Sequence, residues 1–253
     1  MLSVEIINIG NELLIGRTIN QNLFWLGARI FDLGGYLKRA IIIRDIKEDI
    51  AEAITVVLKE HPDLILTTGG LGPTYDDITM DSIAQALGFK MELNDESMKF
   101  MTKRRPPENE SIRLAYEKMS TLPKGSMPLL NYVGSAPGAL IKSKLTKIII
   151  MPGVPAEMQD MFTRYVEPLF GNSKSKEIVI LTEKIYEAEL APLVAKMANK
   201  YPQVYIKTHP ASKNGISHVK IELKTQYNDN AIDVECNEIK MWLKQKNVKF
   251  SVQ

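Results

Sequence analysis

Apolar positions along the first 170 residues switch between short continuous runs and helical spacing. Ser3–Ile9 is an apolar run ended by Gly10. Behind Asn20, a residue type suited to cap a helix, Leu23, Leu26, Gly27, Ile30 and Phe31 recur at helical intervals, and Gly34 and Gly35 stop them. Residues 40–43 read as a buried strand, and Ile50, Ala53, Ile54, Val57 and Leu58 as the next helix face. A strand at 63–67, a polar glycine-bearing loop and a helix at 79–87 closed by Gly88 follow. Helices of this length between strands predict βαβ units and a mostly parallel sheet.

The middle is less regular. Helices are predicted at 97–104 and 110–119, on either side of Arg105-Pro106-Pro107, and a loop at 123–131. A buried strand at 147–151 leads into Pro152-Gly153-Val154-Pro155 and a helix reaching about residue 165. The stretch 171–176, GNSKSK, reads as a linker. It divides a domain at 1–170 from a second unit at 171–253, in which a strand (177–182), a helix (187–200), two strands (204–208 and 217–225) and a last helix (230–246) make a small α+β arrangement.

Composition narrows the classes. The 45% hydrophobic and 25% charged residues are those of an ordinary globular protein. No window holds the run of about 18 apolar residues that a membrane-spanning helix needs. The start, MLSVEIINIGNELL, has no basic region of the kind that opens a signal peptide. Cys236 is the single cysteine, so no disulfide forms within the chain, and a reducing, cytoplasmic setting is expected. A net charge of +2 gives no electrostatic case for a nucleic-acid partner. His61, His209 and His218 are too scattered for a histidine zinc site.

The most informative segment runs from Thr67 to Thr79, TTGGLGPTYDDIT. It joins a buried strand to a helix start, where open α/β sheets gather ligands. Gly69, Gly70 and Gly72, with Thr68, Leu71, Pro73, Thr74 and Thr79 around them, would let backbone N–H groups approach a phosphate. The helix behind would add its positive end. Asp76 and Asp77 suit a divalent cation between carboxylate and phosphate, or a positioned water. The same residue types also make an ordinary turn, with Asp77 or Thr79 capping the helix.

Other acids fall at the same sheet edge. Glu12 follows Gly10 after the first strand, and Asp45 follows the second. Singly, Glu12 would cap a turn and Asp45 would start a helix. Together with Asp77 they have the layout of a metal–polyphosphate site. Pro152, Gly153 and Pro155 follow a buried strand and reach that edge too.

These motifs resemble the amino-terminal domain of the competence/damage-inducible CinA family, within the molybdopterin-binding superfamily. The resemblance rests on INIGNELLIG (7–16), Asn20-Gln21-Asn22, Arg44-Asp45, TTGGLGPTYDDIT, Ala136-Pro137-Gly138 and MPGVPAEM (151–158). It covers roughly the first 170 residues well. It implies a three-layer α/β/α fold, active-site positions at Glu12, Asp45 and Asp77, and a phosphate loop at 69–72. It also implies metal-dependent splitting of ADP-ribose into AMP and ribose 5-phosphate. On that reading Asp77, Glu12 and Asp45 hold a divalent ion (magnesium, manganese or cobalt), and Asp76 accepts a proton. Gly10, Asn22, Pro152, Gly153 and Pro155 join the substrate-binding set. The alternatives are molybdopterin binding, adenylylation or metal insertion, and a non-catalytic nucleotide-binding protein.

Two departures stand out. Many relatives carry Asp-Thr-Asn or Asp-Ser-Asn where this chain has Asn20-Gln21-Asn22, so one acid is absent. Residues 177–253 look similar to the small KH-like domain of CinA, but Ser212-Lys213-Asn214-Gly215 is not the Gly-x-x-Gly of nucleic-acid-binding KH domains. The second unit is therefore expected to be structural or to form a homodimer. The deamidase domain of full-length bacterial relatives is not among these residues, and its activity is not carried over.

Overall fold

A computed structural model describes residues 1–171, 175–213, 216–226 and 230–253. Part of the GNSKSK stretch, and Asn214 and Gly215, lie outside the described residues. The chain divides into two compact units, Met1–Ile30 with Gly35–Gly171, and Phe31–Gly34 with Asn172–Gln253.

In the first unit, β1 (Ser3–Ile9) leads to a single helical turn, α1 (Asn11–Leu14), and then to α2 (Gln21–Asp32). Asn20 does act as a cap, its Oδ1 accepting from the Leu23 amide at 2.9 Å. There follow β2 (Tyr36–Ile43), α3 (Lys47–Lys59), β3 (Leu64–Thr68), α4 (Thr79–Ala86), β4 (Met91–Leu93), α5 (Asp95–Arg104) and α6 (Glu110–Ser120). Asn94 and Asn109 cap α5 and α6 through their side chains. Then come β5 (Thr121–Pro123), β6 (Met127–Leu129), β7 (Gly138–Ser143), β8 (Thr146–Met151) and α7 (Pro155–Met161).

Six strands form the main sheet in the order β2-β1-β3-β8-β7-β6. The first four run parallel; β7 pairs antiparallel with β8, and β6 pairs antiparallel with β7. Every residue of β3 is buried, as a strand covered on both faces requires. That explains why LILTT is a continuous rather than an alternating apolar run. The sheet is mostly parallel, as the βαβ spacing predicts. The predicted loop at 123–131 instead contains β6 and the end of β5, strands too short to leave a periodic signal.

The order places the site. From β1 the chain steps outward to β2, then crosses back to β3 on the other side of β1. The carboxyl ends of β1 and β3 therefore flank a topological switch point, where the connecting helices diverge and leave a crevice.

The second unit contains β9 (Lys176–Glu183), α8 (Glu187–Lys200), β10 (Val204–Lys213), β11 (Ile216–Thr225), α9 (Ala231–Gln245) and β12 (Lys249–Val252). Its antiparallel sheet has the order β10-β11-β9-β12. The α+β expectation holds. The short strand β12, absent from the sequence reading, makes the connectivity β-α-β-β-α-β, the split βαβ arrangement.

On α9, Glu235 is fully buried, and neither carboxylate oxygen has a hydrogen-bond partner among the described residues. Burial, with a smaller contribution from the Glu238 charge, pushes its carboxyl up to about 7. The folded state thus binds a proton that the unfolded chain releases near the ordinary carboxylate value. The stability this supplies is complete below the unfolded value and is lost as pH rises through about 7. Glu235→Gln is expected to match the parent in urea melts at pH ~5 and to exceed it at pH ~8 by on the order of 2 kcal/mol. An unchanged difference between the two pH values would show that Glu235 is not buried as a free acid.

Candidate functional site

A cleft of about 880 Å³ opens at the carboxyl ends of the parallel strands. Its walls come from the segments after β1, β2, β3 and β8, together with the turn at 134–136. The floor is the glycine loop. Gly69 and Gly70 have φ of +104° and +67°, a region where a side chain is strained. A Cβ on Gly69 would overlap the Ile9 carbonyl oxygen, and one on Gly70 would overlap the Thr79 hydroxyl. The Gly69 amide donates to the Met151 carbonyl at 3.1 Å, which ties β3 to the end of β8. The next three amides, of Gly70, Leu71 and Gly72, donate to no acceptor among the described residues. Successive unbonded N–H groups in such a turn form an anion-binding cradle.

The loop is braced from behind. Thr79 begins α4, is fully buried, and donates its amide to the Gly70 carbonyl at 3.2 Å. It does not line the cleft. The sequence reading put Thr79 among the phosphate-binding residues; its position beneath Gly70 makes it a support for the loop. The helix cap is Ile78, with no side-chain hydrogen bond, so neither Asp77 nor Thr79 caps α4. Thr68 lines the cleft, yet its hydroxyl is engaged by Asn8 Oδ1 at 3.1 Å.

Glu12, Asp45, Asp76 and Asp77 all line this one cleft, as do Gly10, Asn22, Leu71, Gly72, Pro73, Thr74, Pro152, Gly153 and Pro155. Convergence of distant acids is therefore realised. A ready-made metal cage is not, because no three His, Cys, Asp or Glu side chains among the described residues come together to hold an ion. Local hydrogen bonds explain the separation. Asp45 Oδ2 accepts from the Asn11 amide at 2.9 Å and so fixes the start of α1. Asp77 Oδ2 accepts from the Thr74 amide at 2.9 Å and from its hydroxyl at 2.7 Å. The same hydroxyl lies against Asp76 Oδ1. The Glu12 carboxylate lies over Gly10.

The Thr74 hydroxyl, helped by the Asp76 backbone amide, holds the Asp76 carboxyl below the usual carboxylate range. Asp76 thus belongs to the 74–77 turn, whose Thr74 carbonyl also receives Lys118.

Asn22 is nearly buried and donates to the Gly153 carbonyl at 2.8 Å, linking α2 to the loop after β8. Asn20 Nδ2 and Asn22 Oδ1 are buried with no partner among the described residues.

Sequence reasoning missed two charged residues of the cleft, Arg17 and Glu157. Glu157 sits in the first turn of α7, and its Oε2 accepts from Asn131 Nδ2 at 2.6 Å. Asn131 Oδ1 in turn accepts from the Val133 and Gly134 amides at 3.1 and 2.7 Å, which shapes the turn carrying Ser135. The strand-end argument that found Asp45 applies equally to Glu157 after β8. Arg17 follows α1, a helix too short to be read from periodicity.

Residues 5–172 match the family model described as a probable molybdopterin binding domain. A protein of Pyrobaculum calidifontis is 37% identical over 214 residues, covering 83% of this chain and 81% of its own. A protein of Sulfurisphaera tokodaii is 40% identical over 209 residues, covering 81% and 79%. The solved structure of the protein CinA, of unknown function, from Thermoplasma acidophilum is 32% identical with a TM-score of 0.61, covering 66% of this chain and 97% of that one. The chain thus belongs to the molybdopterin-binding domain family, and its fold is that of a CinA-like member.

Proposed function

We propose that the cleft binds a phosphorylated pterin of the molybdopterin class and acts on it in molybdenum-cofactor biosynthesis, by adenylylation or metal insertion. The observation that carries this reading is the run of unbonded amides at Gly70, Leu71 and Gly72, inside the segment that matches the family model. Those donors fit a phosphate, and the volume beside them accommodates a fused-ring ligand.

The charge balance of the cleft favours a cation bound with the ligand. Among the described residues of the lining, Glu12, Asp45, Asp76, Asp77 and Glu157 stand against a single cationic side chain, Arg17. Such a wall repels a bare phosphate. Magnesium is commonly held by one or two carboxylates plus ligand phosphates rather than by an all-protein cage. The separated acids fit that mode, with one or two of Asp77, Glu12 and Asp45 holding the ion beside the ligand's phosphate. When bound, a divalent ion neutralises phosphate charge.

The same acid excess favours a second reading. In it, water adds across the diphosphate of ADP-ribose to give AMP and ribose 5-phosphate. The glycine-loop amides would then stabilise charge developing on the phosphate oxygens. Competition between molybdopterin and ADP-ribose for the purified protein separates the readings, with AMP release measured in magnesium, manganese and cobalt. Tight binding without turnover of either ligand would favour a non-catalytic nucleotide-binding protein.

Two substitutions test the roles of the acids. Asp77→Asn is expected to lower ligand turnover at least about 10-fold while the fold is kept, as loss of an ion-holding group does. Full activity would remove Asp77 from that role. Thr74→Val is expected to raise the Asp76 pKa toward the ordinary carboxylate value, followed by carboxyl NMR titration. An unmoved titration would mean that the Thr74 hydroxyl is not what holds Asp76 ionised.

A further inference from the structure

Of the chain's eight arginines, seven are engaged by described residues. Arg29, Arg39, Arg44, Arg105, Arg113 and Arg164 pair with carboxylates, and Arg104 donates to the Asn131 and Gly134 carbonyls. Arg17 alone makes no side-chain hydrogen bond or ion pair with a described residue. It is nevertheless the single cationic side chain among the described residues that line the cleft, beside five carboxylates. A guanidinium in acidic surroundings ordinarily closes onto a neighbour. This one makes no such contact with a described residue.

Its backbone is held where its side chain is not. After α1 the chain turns at Gly16, with φ of +69°. The Arg17 and Thr18 amides then both return to the Glu12 carbonyl, at 2.9 and 3.2 Å. The Arg17 backbone is thereby fastened to the same short segment that places Glu12 at the cleft. The amides of Gly70, Leu71 and Gly72 can satisfy only part of a phosphate's oxygens. A planar guanidinium supplies a pair of parallel donors that match two further oxygens, which an ammonium cannot reproduce.

Resting on the phosphate-binding reading of the cleft, we infer that Arg17 is a specificity-determining residue: it grips the ligand's phosphate and thereby selects phosphate-bearing ligands over their dephosphorylated forms. The cost of replacing it should fall on the phosphate and not on the rest of the ligand.

Calorimetric titration with AMP and with adenosine, in magnesium, of the parent protein, Arg17→Gln and Arg17→Lys tests this. Arg17→Gln is expected to weaken AMP about 10- to 100-fold, the scale of lost charged hydrogen bonds, and to leave adenosine within about twofold. Arg17→Lys should recover part of the AMP affinity, and all three proteins should melt at the same temperature. If Arg17→Gln binds AMP as the parent does, or loses AMP and adenosine affinity equally, Arg17 is a solvated surface residue and the inference fails. If the parent binds neither compound, nor inorganic phosphate in their place, the phosphate reading of the cleft fails and takes this inference with it.

Discussion

The structure of the site depends on a close approach of three backbones at Gly69. Its amide bonds to Met151, its α-carbon packs against the Ile9 carbonyl, and Gly153 presses on it from the loop after β8. The ends of β1, β3 and β8 thus meet around one residue that has no room for a side chain. With Gly69 so placed, the chain can turn through Gly70 in the left-handed region and leave successive amides without acceptors among the described residues. The parallel order of the sheet brings those amides to the switch point, and the acids after β1, β2, β3 and β8 arrive there for the same topological reason.

Much of this was legible in the sequence because strong local signals coincide with the topology. LILTT is uniformly apolar and the string after it is rich in glycine, so a buried strand running into a ligand loop followed directly. The cleft membership of Glu12, Asp45 and Asp77 followed from parallel strands alone. What was not legible depends on side-chain geometry or on very short elements. Thr79 has the residue type of a phosphate ligand, and only its burial under Gly70 reveals it as a brace. Asp76 and Asp77 have the residue types of a metal site, but Thr74 draws both into its own turn. The segments α1, β4, β6 and β12 are three or four residues long, below any period that can be counted.

The electrostatics and the fold make complementary demands on a ligand. The cradle calls for an anion, and the carboxylates call for positive charge. A phosphate that arrives with a divalent ion satisfies both, and Arg17 is the one cationic side chain among the described residues of the lining. Asn20, in the same lining, adds no charge to the cleft and uses its side-chain oxygen to cap α2.

The most direct measurement is a set of backbone amide spectra recorded as AMP and magnesium are added. Binding in the cradle predicts that the Gly70, Leu71 and Gly72 signals move furthest, with Gly10 and Gly153 following. Saturable binding that leaves these amides unmoved, or that shifts only residues of the second unit, would contradict the account.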